Sequence, residues 1–198
     1  RLPDADQVKQ FLRARRSIRC YKKDPLDRET LGQLIDTARF APSGVNRQPV
    51  RWLVVQTPEE VQLLAGLVAD WMRHLMEEQS PMVAAMHLDK MVAAWDNGQD
   101  RICRSGPHLI LAHGAKADPT APAAATIALT YLELTAAAMG LGACWAGYFN
   151  IAANLWPPMK EALALPEGHV PLGGMVVGRT KYRYQRLPLR NPPEIVWR

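Results

Sequence analysis

A chain of 198 residues with 48% hydrophobic and 22% charged side chains has the composition of an ordinary globular protein, which excludes a disordered or fibrous one. Its three cysteines, Cys20, Cys103 and Cys144, are scattered and odd in number, which excludes a disulfide framework and the paired-cysteine metal spacings and makes a reducing, cytoplasmic setting the expectation. The net charge of +5 is unevenly spread, because half of the 24 Lys and Arg residues lie in 13–23 and 179–198. Either these are two solvated surfaces, or the two stretches meet around an anion such as a phosphate or nucleic acid.

Taken in chain order, residues 4–14 predict a helix with Val8, Phe11 and Leu12 on one face. Asp27 is placed to cap a second helix carrying Leu31, Leu34, Ile35 and Ala38. Pro42 and Gly44 break it into a loop, and Val50–Gln56 reads as a strand. Thr57-Pro58-Glu59-Glu60 predicts a capped helix start, with the helix running to about Gln79. Pro81 opens another helix that ends near Trp95. The almost wholly apolar His108–His113 is expected to be a central strand. Residues 122–139 predict a buried helix ending at Gly140, and Ala143–Phe149 a short strand or extended loop. Asn150 is placed to cap a helical stretch, Pro157-Pro158 to start another ending at Pro166, and Val170–Gly178 reads as the last strand. A tail rich in Pro and Arg follows, of a kind that wraps a second subunit. Three or four strands and about six helices predict a sheet with helices packed around it, in one domain spanning 1–198. Residues 134–159 are uncharged, but Gly140, Gly142, Gly147, Pro157 and Pro158 interrupt them, so no membrane span is expected.

Three segments offer chemistry. In 15–19, Arg-Arg-Ser-Ile-Arg follows a helix; guanidinium forks suit phosphate oxygens, and Arg15 and Arg19 would reach one anion if the turn stayed helical. The run 41–49 joins a helix to a strand; its Pro, Ser, Gly and Asn are loop formers, yet Ser43, Asn46 and Gln48 also match the polar edge of a planar heterocycle. In Gly140–Gly147, glycines permit close backbone approach and Trp145 is placed to cover an aromatic ring, though tight helix-to-strand packing would use the same residues. The remaining patterns are absent: there is no G-x-S-x-G elbow and no H-E-x-x-H, and the G-x-G of 140–142 follows a helix rather than a strand. His74 and His87 fall on predicted helices in packing or surface roles, and Cys144 has no nearby base to make it a nucleophile.

The three segments, in this order and at this spacing, resemble the nitroreductase family along nearly the whole chain. The resemblance implies an α+β, three-layer fold with a central mixed or antiparallel sheet, a homodimer, and FMN at the subunit interface. It implies that Arg15, Arg16, Ser17 and Arg19 hold the FMN phosphate and ribityl chain, while Pro42, Ser43, Gly44 and Asn46 reach the flavin from the other subunit. Trp145, Ala146 and Gly147 would lie by the flavin ring with a backbone N–H near N5, and a tail arginine, Arg186 or Arg190, would complete the phosphate site. The implied activity is hydride transfer from NAD(P)H or another donor through flavin to a nitroaromatic, quinone or similar acceptor. The acceptor pocket would come from 66–105, and no catalytic side chain, metal, membrane or nucleic acid is implied. Other flavin chemistry is the nearest alternative: dehalogenation, flavin reduction, a ferredoxin-linked reductase or flavin storage. A nucleic-acid module built on the basic ends with Tyr21, Tyr182 and Tyr184 leaves both Gly-rich loops unexplained. Two departures stand out: Val50, not an aromatic, follows Gln48-Pro49, with Trp52 on the same strand face, and Gly178-Arg179-Thr180 replaces a Gly-Tyr-Pro. Similar domains occur fused behind a ferredoxin-like module, and the missing initiator Met is what such an excised piece would show.

Overall fold

The computed structural model describes residues 3–198. Among them are eight α-helices and four strands: α1 (Ala5–Ala14), α2 (Arg28–Ala38), β1 (Arg51–Val55), α3 (Pro58–Glu77), α4 (Met82–Met86), α5 (Leu88–Asp96), β2 (His108–Ala115), α6 (Ala121–Ala138), β3 (Leu141–Trp145), α7 (Gly147–Leu155), α8 (Pro157–Leu163) and β4 (His169–Arg179). The helix starts follow from local chemistry. Asp4 and Gln7 form a reciprocal capping box, Asp27 Oδ1 accepts from the Thr30 N–H at 2.7 Å, and Thr57 Oγ1 accepts from the Glu60 N–H at 3.2 Å. Gly140, at φ +71°, takes the left-handed position that ends α6.

The sheet order is β1-β2-β4-β3, and every pairing is antiparallel, so the mixed alternative does not hold. Side chains alternate across the strands. Leu109, Leu111 and Val176 point to a core with α3, α5, α7 and α8, whereas Ile110, Ala112, Met175 and Val177 point to a second core with α2 and α6. Two cores on two faces make the three layers. Each wholly buried Leu in them contributes roughly 1.5–3 kcal/mol relative to exposure. Val50 and Trp52 both pack against the α2–α6 core, as their shared face predicts. Helix α6 is long and apolar enough to cross a membrane by composition alone, yet eight of its residues are buried and it packs on α2 and the sheet.

Two expectations need correction. The single helix after Pro81 is two, because His87 adopts a left-handed conformation (φ +54°) between α4 and α5, a break with no Gly or Pro to signal it. Asn150 does not cap a helix. Helix α7 already starts at Gly147, and Asn150 lies inside it with its Nδ2 donating to the Gly174 carbonyl at 3.4 Å. The first change adds a helix; the second moves a boundary.

Candidate functional site

Helix α1 ends at Ala14, and Arg15 is already extended (φ −56°, ψ 136°), so Arg15 and Arg19 do not share a helical turn. The segment is instead laid along the sheet. The Ile18 N–H donates to the Ala143 carbonyl at 2.9 Å, Lys22 N–H to Arg179 at 2.9 Å, and Lys181 N–H back to Cys20 at 3.1 Å. Gly142 makes this approach possible: a Cβ there would lie 2.6 Å from Ile18 Cβ. The glycine of 140–142 thus admits a neighbouring side chain. The Tyr21 hydroxyl reaches the carbonyls of Ile18 (2.6 Å) and Val176 (3.1 Å), and burial pushes its phenol far above the ordinary value.

This anchoring sets four residues of the segment around one space, where the tail joins them. Arg15, Arg16, Ser17, Arg19, Tyr184 and Arg190 line a cavity of about 210 Å³. Arg15 Nη1 donates to Glu133 Oε1 at 2.8 Å, a largely buried ion pair that joins the segment to α6. Arg16 lies 4.7 Å over the Tyr184 ring and its Nη2 donates to the Arg186 carbonyl at 2.6 Å, while its buried Nε has no partner. Arg186 therefore meets this region through its backbone, and Arg190 through the cavity wall.

Arg19 also lines a second cavity of about 460 Å³, with Trp145, Gly147, Tyr148 and the 85–104 region. Here β3 turns into α7. The Ala146 N–H is spent on the Gly174 carbonyl at 3.0 Å. The Gly147 N–H, first in an uncapped helix, has no acceptor among the described residues, and a Cβ at Gly147 would meet nothing within 4 Å. Trp145 is 39% exposed, and its ring lies against Gly173, where a Cβ would be 2.8 Å from it. Burial raises the pKa of Cys144, against the pull of Arg19 and Arg104, so its thiol is not an activated nucleophile.

The third segment lies elsewhere. Pro42, Ser43 and Gly44 line a separate cleft with Thr120 and Ile127 of α6. Ser43 Oγ accepts from the Gln48 N–H at 2.9 Å, and Val45, Asn46 and Gln48 all have positive φ (46°, 54° and 50°). Asn46 is exposed and Val45 is 90% exposed. Within one chain this loop does not join the arginines.

The stretch 66–105, expected to build the acceptor pocket, lines this cavity with His87, Arg101 and Arg104, of which the sequence singled out neither arginine and gave His87 only a packing or surface role. His87 is not on a helix face as expected but at the α4–α5 break. The basic pair in Arg101-Ile102-Cys103-Arg104, just before β2, was the available signal.

The sequence profile described as the Nitroreductase family matches residues 12–179. The chain is 33% identical to a protein named NADH dehydrogenase from Thermus thermophilus, covering 93% of this chain and 92% of that one. It is 28% identical to an FMN reductase [NAD(P)H] from Bacillus subtilis, covering 96% and 72% respectively. Its fold resembles a nitroreductase with bound FMN from Bacteroides fragilis, with a TM-score of 0.77 at 16% identity over 97% of this chain and 99% of that one. A second FMN-bound nitroreductase, from Desulfitobacterium hafniense, gives 0.73 at 22% identity over 99% of both. The profile match covers the arginine segment, the 41–49 loop, Gly140–Gly147 and the sheet that organises them, and the chain belongs to the nitroreductase family.

Proposed function

We propose that the protein is an FMN-dependent oxidoreductase, working as a cytoplasmic homodimer, that passes hydride from NAD(P)H to a small electron-poor acceptor such as a nitroaromatic or quinone. The observation that carries it is the pair of cavities joined at Arg19: a small cationic one beside a larger one walled by Trp145 and Gly147. That is the shape and charge order of a phosphate followed by a flat ring. The residues fit the group. Arg16 Nε is buried without a partner, and the space over Gly147 is open. The names of the relatives, an FMN reductase and FMN-bound nitroreductases, point the same way.

Bound FMN would supply hydride acceptance and donation at N5. The chain's task is to hold and surround it. Arg15, Arg16, Ser17, Arg19 and Arg190 would bind the phosphate and ribityl oxygens, with Arg190 rather than Arg186 as the tail arginine, because Arg190 lines the cavity and Arg186 does not. Trp145, Ala146 and Gly147 would flank the ring; the Gly147 N–H is the free donor, since Ala146 has used its own. Cationic Arg19 favours an anionic ring when reduced. Pro42, Ser43, Gly44 and Asn46 would complete the site of a second copy. The exposed apolar side chains Val8, Phe11 and Leu12 on α1 and Ile127 and Tyr131 on α6 are the surface for that contact.

An anaerobic absorption spectrum with NADH and then NADPH added tests this. A flavin spectrum that bleaches supports the proposal and names the donor. A colourless protein that also refuses added FMN refutes it.

A further inference from the structure

The wall of the larger cavity that faces Trp145 and Tyr148 is built from His87, Arg101 and Arg104. Together with Arg19 this gives three arginines lining one space, Arg101 donating to Gln99 Oε1 at 3.3 Å. Among the described residues none of the three has a carboxylate within ion-pairing distance, although Arg15, Arg39, Arg47 and Arg73 all do. Cations left unpaired around a concave space favour an anion there.

The backbone around them is held out of its ordinary range. His87 and Arg104, both lining the cavity, have φ of 54° and 60°, and Ser105 follows at 49°. Non-glycine residues persist there only where surrounding structure enforces it. At Arg104 and Ser105 the enforcing group is Asp100, whose carboxylate accepts from the N–H groups of Ile102 and Cys103, each at 2.8 Å, and of Ser105 at 2.7 Å. That turn fixes where Arg101 and Arg104 stand. The Asp100 oxygens are taken by backbone donors, and Asp100 forms no ion pair with either arginine among the described residues.

We infer that Arg101 and Arg104 select an acceptor that carries an anionic group, of the class of a carboxylate on an electron-poor aromatic ring. This rests on the flavin site proposed above. The flat ring lies by Trp145 and Gly147, and the anionic group by the two arginines. The 2′-phosphate of NADPH offers similar chemistry, so the test separates the two sources.

The experiment is calorimetric titration of the FMN-reconstituted protein with benzoate and with its neutral isostere benzamide, in the wild type and in Arg101→Gln and Arg104→Gln. Removing one charge-assisted hydrogen bond corresponds to about ten-fold or more in affinity. The expected result is that benzoate binds at least about ten-fold tighter than benzamide and that each variant erodes this preference. The kcat/KM ratio of 4-nitrobenzoate to 4-nitrobenzamide falls in parallel. Equal affinity of the wild type for the two probes, or a preference untouched by both variants, overturns the inference. Variants that lose discrimination between NADPH and NADH while keeping the benzoate preference also overturn it, by assigning the arginines to the donor. A protein that takes up no FMN fails the flavin proposal instead, and benzoate titration of that flavin-free protein still reports on the arginines.

Discussion

Gly142 is the position where one added methyl should cost most at the site. A Cβ there would stand 2.6 Å from both Cβ and Cγ2 of Ile18 and 2.9 Å from Cγ1, so Ile18 must retreat by about 0.8 Å to reach the 3.4 Å of ordinary contact. It cannot swing away by a side-chain rotation alone, because its Cβ is one of the clashing atoms. Its backbone is held on both sides, by the N–H bond to Ala143 and by the carbonyl bond from the Tyr21 hydroxyl. Overpacking of this kind costs about 1–3 kcal/mol in stability. The displacement passes directly to Ser17 and Arg19. Losing one charge-assisted hydrogen bond to a phosphate, about 1.5–3 kcal/mol, raises the Kd for FMN about ten- to a hundred-fold. Urea unfolding of flavin-free Gly142→Ala measures the first quantity, and quenching of flavin fluorescence on titration measures the second. Gly140→Ala is the control. Its Cβ meets nothing within 4 Å but its φ is +71°, so it should lose about 1 kcal/mol of stability and leave FMN affinity alone. Gly142→Ala binding FMN within about two-fold of wild type, or behaving like Gly140→Ala, would refute the reasoning.

Arg15→Ala leaves the Glu133 carboxylate, 8% exposed, without its partner and should cost about 2 kcal/mol, less than a fully buried pair because Arg15 is 27% exposed. Adding Glu133→Gln should restore much of the stability but not FMN affinity; thermal melts and flavin titration of the double variant separate the two roles. Arg190→Gln should weaken FMN binding more than Arg186→Gln, whose carbonyl bond to Arg16 survives the substitution. Equal losses in the flavin titration would count against that assignment. His108 accepts the Leu26 N–H at Nε2 (2.7 Å), and burial lowers its pKa. The unfolded chain thus takes up this proton first, so the His108 contribution is complete above pH 6.5 and is lost as pH falls from there toward the folded value, by at most about 1.4 kcal/mol per pH unit. Urea midpoints between pH 7.5 and 5.5 should show a shallower decline in His108→Gln than in wild type, and parallel curves would exclude the histidine. Phe11→Glu, on the exposed face of α1, should shift sedimentation toward a monomer and weaken FMN binding with it. An unchanged dimer that keeps its flavin would remove α1 from the interface.

What could be read from the sequence was what local rules determine. Asp27 and Thr57 start helices wherever they stand before a helical periodicity, and the apolar His108–His113 could only be central. What could not be read depended on distant partners. His87 has no local reason to break a helix, yet it stands left-handed at the cavity wall. Arg15–Arg19 lost its helical form because β3 offers Ile18 a backbone acceptor 125 residues further on. Arg101 and Arg104 are ordinary surface arginines in the sequence, and only the Asp100 turn aims them at a shared space. The motif segments themselves were visible because glycine, proline and paired arginine are constrained at short range.

The bond from Arg16 to the Arg186 carbonyl spans 170 positions. All four strands lie before Tyr184 and Arg190 in the chain, so the residues that close the cationic cavity come after those that build the sheet. Closing so long a span costs less chain entropy once the sheet between its ends is folded. A chain cut after Arg179 would keep the residues of all four strands and leave the proposed phosphate site open on one side.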